Sequence, residues 1–246
     1  MFSILEQMKL LKSMSFRLRE TRRENKSVIR VIFSASQLFF EFLYYKLFKS
    51  EKFFNFQGKR YKYFYYPYNA TWRNERAIEI PIILKVFKLN PNKKILEFGN
   101  VMKRYIQSNH DVLDKYEEEV GVINEDVVKI DLKKKYDLII SISTIEHVGW
   151  DEKPRDSQKV KKAISNLKSH LKKNGTGIIT FPIGWNRYLD EGITKNILDF
   201  HKIYFMKRTS KNNNWKEASF DEIRGIKYGR PFRAANAIGV GIIKSK

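Results

Sequence analysis

The sequence predicts an α/β chain built on a parallel sheet, and three observations carry that expectation. From residue 93 onward, short apolar runs recur between polar stretches, the pattern of strands buried on both faces. Between two of those runs, residues 157–173 carry Val160, Ile164, Leu167 and Leu171 at helical spacing, and strands alternating with helical segments make parallel βαβ units. Finally, 246 residues with 42% hydrophobic content and no cysteine suffice for a sizeable core without disulfides. The missing cysteines also exclude thiolate metal sites and a cysteine nucleophile. Four scattered histidines give no metal-ligand spacing, so no metal is expected.

Residues 1–26 hold seven cations and three acids and have no secretory-signal pattern. Residues 28–48 follow as VIRVIFSASQLFFEFLYYKLF, apolar or aromatic at 15 of 21 positions. Three readings stand for this helix: packed on the following domain, lying in a membrane interface, or spanning a bilayer. Arg30, Glu41 and Lys46 weigh against the span, because a mid-helix acid is costly in lipid. Residues 53–68, FFNFQGKRYKYFYYPY, suit either base stacking or a strand with period-two alternation. A helix is expected over 72–89, with Thr71 as its N-cap and Asn90-Pro91-Asn92 as its stop. Strands are expected at 94–98, 112–116, 120–123, 136–143 and 176–183, with Asn174-Gly175 closing the helix before the last of these. A helix near 187–198, a strand pair around 202–220 and a final strand at 237–243 complete the chain.

With 48 Lys+Arg against 27 Asp+Glu, the formal charge is +21, which suits nucleic acid, an anionic membrane or an acidic substrate. The excess is mostly dispersed lysine, the composition of a solvated surface. Residues 1–60 hold 13 cations and 5 acids, 13 − 5 = +8, so much of the charge lies near the N-terminus.

Ligands of open parallel sheets bind beyond the carboxyl ends of the strands, where the strand order reverses. The candidate strand ends carry Glu97-Phe98-Gly99-Asn100, then Asp114, then Asn124-Glu125-Asp126, then Ser143-Thr144-Ile145-Glu146-His147-Val148. A glycine permits a sharp turn, an acid after the second strand can accept from a ribose diol, and His147 can act as a base near neutral pH. A structural histidine bonded to a loop carbonyl is the other reading of His147.

The stretch from ILEFG through YDLIISISTIEHVG to LKKNGTGIITFP resembles the class I S-adenosylmethionine-dependent methyltransferases. HDVLDKYE, GVINED, ISTIEHVGWDE and YGRPF…AANAIG are similar to the branch found beside bacterial and archaeal glycan-assembly enzymes. The likeness covers roughly residues 70–246. It implies a Rossmann-like sheet with helices on both faces, expected over 53–246, and leaves unexplained the first fifty or so residues, whose composition reads as a basic, aromatic helical extension over 1–52. It also implies S-adenosyl-L-methionine as cofactor: Gly99 and Asn100 under its methionine part with Glu97 behind them, Asp114 on the ribose, Asp126 on the adenine, and Ser143 and Thr144 along its side. Glu146 and His147 are the catalytic candidates. The family's turn is E-x-G-x-G-x-G, and here Glu97-Phe98-Gly99-Asn100-Val101-Met102-Lys103 keeps one glycine of three.

The expectation is a cytoplasmic methyltransferase for a sugar or cell-surface glycan intermediate, with residues 1–50 meeting an anionic membrane peripherally. The alternatives are a non-catalytic binding protein on the same fold and a methyltransferase for RNA, the latter ranked lower because no signature of that chemistry is present.

Overall fold

In the computed structural model of the chain, residues 28–245 are described, and the basic segment 1–26 lies outside them. The chain forms two compact units, Met1–Pro81 and Ile82–Lys246.

In the first unit, helix α1 (Val28–Phe48) is followed by a hairpin of β1 (Phe53–Phe56) and β2 (Lys59–Lys62). Its two-residue loop, Gln57-Gly58, has φ of 49° and 66°, the left-handed pair that matches strand twist in a tight hairpin. A 3₁₀ segment, Tyr68–Arg73, carries Trp72, which is 2% exposed. Helix α1 packs against this unit through Phe42 on Trp72 (5.5 Å between ring centroids) and Tyr45 on Tyr65 (5.0 Å). Arg73 donates to both Glu41 oxygens at 2.6 and 2.7 Å, and Trp72 Nε1 donates at 3.0 Å. The Arg73 hydrogen bond outweighs burial and holds the Glu41 carboxyl below its ordinary value. Residues 53–73 thus supply the surface on which α1 packs within this unit.

Two sequence expectations change here. Thr71 does not cap a helix: its buried hydroxyl donates to Phe64 O at 2.6 Å and accepts from Tyr66 N at 2.8 Å. Helix α2 (Arg76–Lys88) begins at Asn74, whose Oδ1 accepts the Arg76 N–H at 3.0 Å. Tyr63, Tyr65 and Tyr66, considered for base stacking, are buried, so those rings serve the core of this unit.

The second unit is a sheet of eight strands: β3 (Ile95–Phe98), β4 (Asp111–Leu113), β5 (Val122–Ile123), β6 (Tyr136–Ile142), β7 (Leu171–Pro182), β8 (Lys202–Arg208), β9 (Trp215–Ala218) and β10 (Ala237–Lys244), in the order β5-β4-β3-β6-β7-β10-β8-β9. Pairs from β5 through β7 are parallel, and β10 runs antiparallel between β7 and β8. This mixed central sheet with helices on both faces is Rossmann-like, as expected. Helices α3 (Lys159–Ser169), α4 (Arg187–Thr194) and α5 (Phe220–Ile223) accompany it. Central strand β6 is buried at six of seven positions, which explains its mostly apolar sequence. The order reverses at β3, which sends the chain to β4 on one side and pairs with β6 on the other. Among the described residues no α-helix lies between β3 and β6; only the 3₁₀ turn Met102–Arg104 stands in those crossovers.

Helix α3 stops at Ser169 rather than at 173. His170 Nδ1 bonds to Asn166 O (2.8 Å) and its Nε2 accepts the Leu132 N–H (3.0 Å), so β7 starts at once with Leu171 paired to Tyr136. Asn174, φ 63°, then makes an irregular point inside the strand rather than a helix cap.

At the start of α4, Asp190 accepts the Gly184 N–H at 3.0 Å. Burial pushes its carboxyl up to about 6, only partly opposed by that bond. The folded pKa lies above the unfolded one, so between about pH 4 and 6 the folded chain holds a proton that the unfolded chain has lost, and stability falls as pH rises through that window. Asn at this position keeps the acceptor and carries no charge. Asp190→Asn is therefore expected to be more stable than wild type near pH 7, by on the order of 2–3 kcal/mol, with the gap closing near pH 4. Urea midpoints at the two pH values measure it.

Candidate functional site

The turn after β3 is built around Glu97, fully buried. Its Oε1 accepts the N–H groups of Val101 (2.8 Å) and Met102 (2.6 Å), and Oε2 meets His110 Nε2 at 2.7 Å. Gly99 follows with φ 86°, and a Cβ there would lie 2.1 Å from Thr144 Oγ1. Only glycine permits both the turn and this approach to the end of β6. Asn100 donates its N–H to Asp114 Oδ2 at 3.4 Å and its Nδ2 to Glu119 at 3.1 Å, while its buried Oδ1 has no partner among the described residues. Arg104, on the 3₁₀ turn Met102–Arg104, pairs with Glu117 and Glu119. The loops after β3 and β4 are thereby tied together.

Asp114 sits at the end of β4, where its Oδ1 accepts from the N–H groups of Tyr116 (2.9 Å) and Glu117 (3.1 Å). Beyond the carboxyl ends of β3 to β6 lies a cavity of about 480 Å³, lined among others by Phe98, Asp114, Asp126, Thr144 and His147. That size is within the range of small-molecule sites, and the place is the one the strand order indicates.

Of the residues singled out from the sequence, Asp114, Asp126, Thr144 and His147 line the cavity. Glu97 and Gly99 build the adjoining turn, and Asn100 bridges it to β4. Ser143, buried with φ 38°, takes a conformation sparsely used by side-chain-bearing residues and donates its N–H to Thr180 O at 2.9 Å. Glu146 is buried, with its Oε1 3.7 Å from His147 Nε2, and its carbonyl accepts from Asn186 Nδ2 at 2.8 Å.

Sequence reading missed the charged lining. Lys115 Nζ lies 2.9 Å from Asp126 Oδ2 and 3.4 Å from Glu152 Oε1, and Lys159 pairs with Glu152. This chain of charges links the loops after β4, β5 and β6 to the start of α3. The Asp126 hydrogen bond, working against desolvation, raises the Lys115 pKa. Burial alone would raise the Asp126 carboxyl, but the Val128 N–H and the Lys115 ammonium outweigh it and hold it low. Both Asp126 oxygens are thus engaged within the chain. Asp151, also on the cavity, holds His147 Nδ1 at 2.6 Å. The ring of His147 also meets Trp185 edge-to-face, 5.7 Å between centroids. Asp114, Asp126, Asp151 and Glu152 against Lys115 give this cavity a formal 4 − 1 = 3 negative charges with His147 neutral, in a chain of net +21.

No family model matches the sequence. No curated protein matches it either. Among solved structures, the chain is similar to TehB from Haemophilus influenzae (14% identity, TM-score 0.42, 73% of this chain and 65% of that one). It is also similar to the N-methyltransferase NodS from Bradyrhizobium japonicum WM9, in complex with S-adenosyl-L-homocysteine (12%, 0.43, 70% and 88%). A third is an S-adenosylmethionine-dependent methyltransferase from Clostridium acetobutylicum (12%, 0.38, 84% and 98%). The match spans just under two thirds of the Haemophilus chain.

Proposed function

We propose that the chain is an S-adenosylmethionine-dependent methyltransferase that acts on a hydroxyl of a sugar or glycan intermediate. The observation that supports this most directly is the acidic cavity at the switch point, which brings Asp114, Thr144 and His147 together. The residues suit the adenosyl part of the cofactor: Asp114 Oδ2 is occupied only by a long 3.4 Å bond and has lone pairs free for a ribose diol, and the negative lining suits a sulfonium. Asn100 Oδ1, a buried acceptor without a partner, is of the kind an ammonium group needs. When bound, the cofactor supplies an electrophilic methyl group on its sulfonium sulfur. The protein's part is to orient the acceptor, exclude water and take the hydroxyl proton. Asp151 fixes the proton of the imidazole on Nδ1, which leaves Nε2 as the basic nitrogen of His147.

One observation favours a second reading, a non-catalytic adenosine-binding protein on the same fold. The β3–β4 crossover has only a 3₁₀ turn, so no α-helix N-terminus stands there to receive the cofactor's carboxylate. Calorimetric titration of S-adenosylmethionine and S-adenosylhomocysteine into the full chain separates the possibilities. Saturable binding of both, with transfer of labelled methyl to a glycan extract, is the expected result. Binding without transfer selects the second reading, and no heat or thermal shift at millimolar cofactor removes both.

A further inference from the structure

Helix α1 has two apolar sides, and only one of them is used in the described chain. Glu41, Phe42 and Tyr45 face Trp72, Arg73 and Tyr65, as described above. Phe33, Phe40 and Leu47 are 71%, 66% and 66% exposed, and Tyr44 is 47% exposed. At 3.6 residues per turn these four fall within an arc of about 60° on the opposite side of the helix, with Phe48, 73% exposed, beside it. Four large apolar side chains along one open stripe form an interaction surface rather than scattered exposure.

The charges around the stripe indicate what covers it. Lys46 and Lys49 lie on the same helical end, and Lys49 Nζ sits 5.8 Å from the Tyr44 ring centroid. Arg60 stacks at 4.0 Å over Phe53, itself 36% exposed. Residues 1–60 carry 13 cations and 5 acids. A second copy docked on this face would bring like charges together, whereas anionic lipid headgroups would neutralise them. Among the described residues no helix is long and apolar enough to cross a membrane. An amphipathic helix of this type lies in the plane of the interface, its aromatic rings at headgroup level and its lysines reaching outward.

We propose that the Phe33–Phe40–Tyr44–Leu47 face of α1 docks on an anionic membrane surface and holds the protein there peripherally. The assignment is independent of the methyl-transfer reading.

The test is co-sedimentation of the full chain with phosphatidylcholine vesicles, with and without phosphatidylglycerol. Wild type is expected to partition onto the anionic vesicles at least ~10-fold more strongly than onto neutral ones, and less so as salt rises. The triple variant Phe40→Ser/Tyr44→Ser/Leu47→Ser should lose at least ~10-fold of that binding with an unchanged thermal transition, because all three side chains are exposed. Lys46→Glu/Lys49→Glu should lose the preference for anionic lipid and serves if the triple variant folds poorly. Absence of wild-type binding to anionic vesicles overturns the proposal, as does equal binding by the variants. A concentration-dependent dimer that the triple variant abolishes, without vesicle binding, would assign the face to a second copy instead.

Discussion

Glu97→Ala is expected to lower the stability of the sheet unit by about 3–5 kcal/mol, a large part of the roughly 5–15 kcal/mol that keeps a domain folded. The carboxylate is fully buried and makes three short bonds, to the N–H groups of Val101 and Met102 and to His110 Nε2. Alanine strands all three groups away from water, and a buried donor without an acceptor bears its whole desolvation cost. Glu97→Gln separates charge from geometry. Its carbonyl still accepts both backbone N–H groups and its amide still reaches His110, so a loss of only about 1 kcal/mol is expected. Urea denaturation gives both values as midpoint shifts at constant m. An alanine variant within about 1 kcal/mol of wild type would mean that the turn after β3 does not depend on Glu97, and the explanation of its shape given above would fail. The same experiment bears on the cavity, because the turn that Glu97 holds also carries Gly99 against Thr144.

The parts of the fold legible in the sequence are those whose environment is uniform. Strands β6 and β7 are buried along most of their length, so hydrophobic runs mark them. Strands β4 and β5, at one end of the sheet, have only three and two residues. The expected continuation of β4 through Tyr116 stops at Leu113 because Asp114 turns back to accept the next N–H groups. Thr71 carries the chemistry of a cap but is claimed by Phe64 and Tyr66, contacts no local rule anticipates. The packing of α1 was hidden for a similar reason, since it depends on Trp72 and Arg73 meeting Glu41 some 31 and 32 positions away. In the site, strand-end position alone marked Asp114, Asp126, Thr144 and His147. Lys115 and Glu152 were invisible because their pairing spans 37 positions. Asp151, four residues after His147, had a helical spacing that could have drawn attention to it, but its neighbourhood does not read as a helix.

Asp114→Asn is expected to weaken S-adenosylhomocysteine binding by about 10- to 100-fold while costing less than about 1 kcal/mol of stability. Asymmetry within the carboxylate is the reason. Oδ1 is committed to the Tyr116 and Glu117 N–H groups at 2.9 and 3.1 Å, whereas Oδ2 has only the Asn100 N–H at 3.4 Å. An asparagine keeps its carbonyl on the two shorter bonds and so presents its amide nitrogen where Oδ2 was. A donor then faces the Asn100 N–H and the ribose hydroxyls, and bonds worth about 1.5–3 kcal/mol to a charged acceptor are lost. Asp114→Ala removes the loop contacts as well and is expected to lose about 1–2 kcal/mol of stability besides. Titration with adenine, which has no ribose, distinguishes contact from collapse. If Asp114 acts on the diol, adenine binds wild type and Asp114→Asn alike while S-adenosylhomocysteine discriminates between them. Parallel weakening of both ligands would show that Asp114 acts by holding the loop after β4, and equal S-adenosylhomocysteine binding by the two proteins would remove it from the ligand site. The outcome also bears on the thinned glycine turn. If the cavity takes the cofactor as proposed, a turn with one glycine and only a 3₁₀ turn behind it offers the methionine end little beyond Asn100, and Asp114 is the residue on which the affinity would chiefly depend.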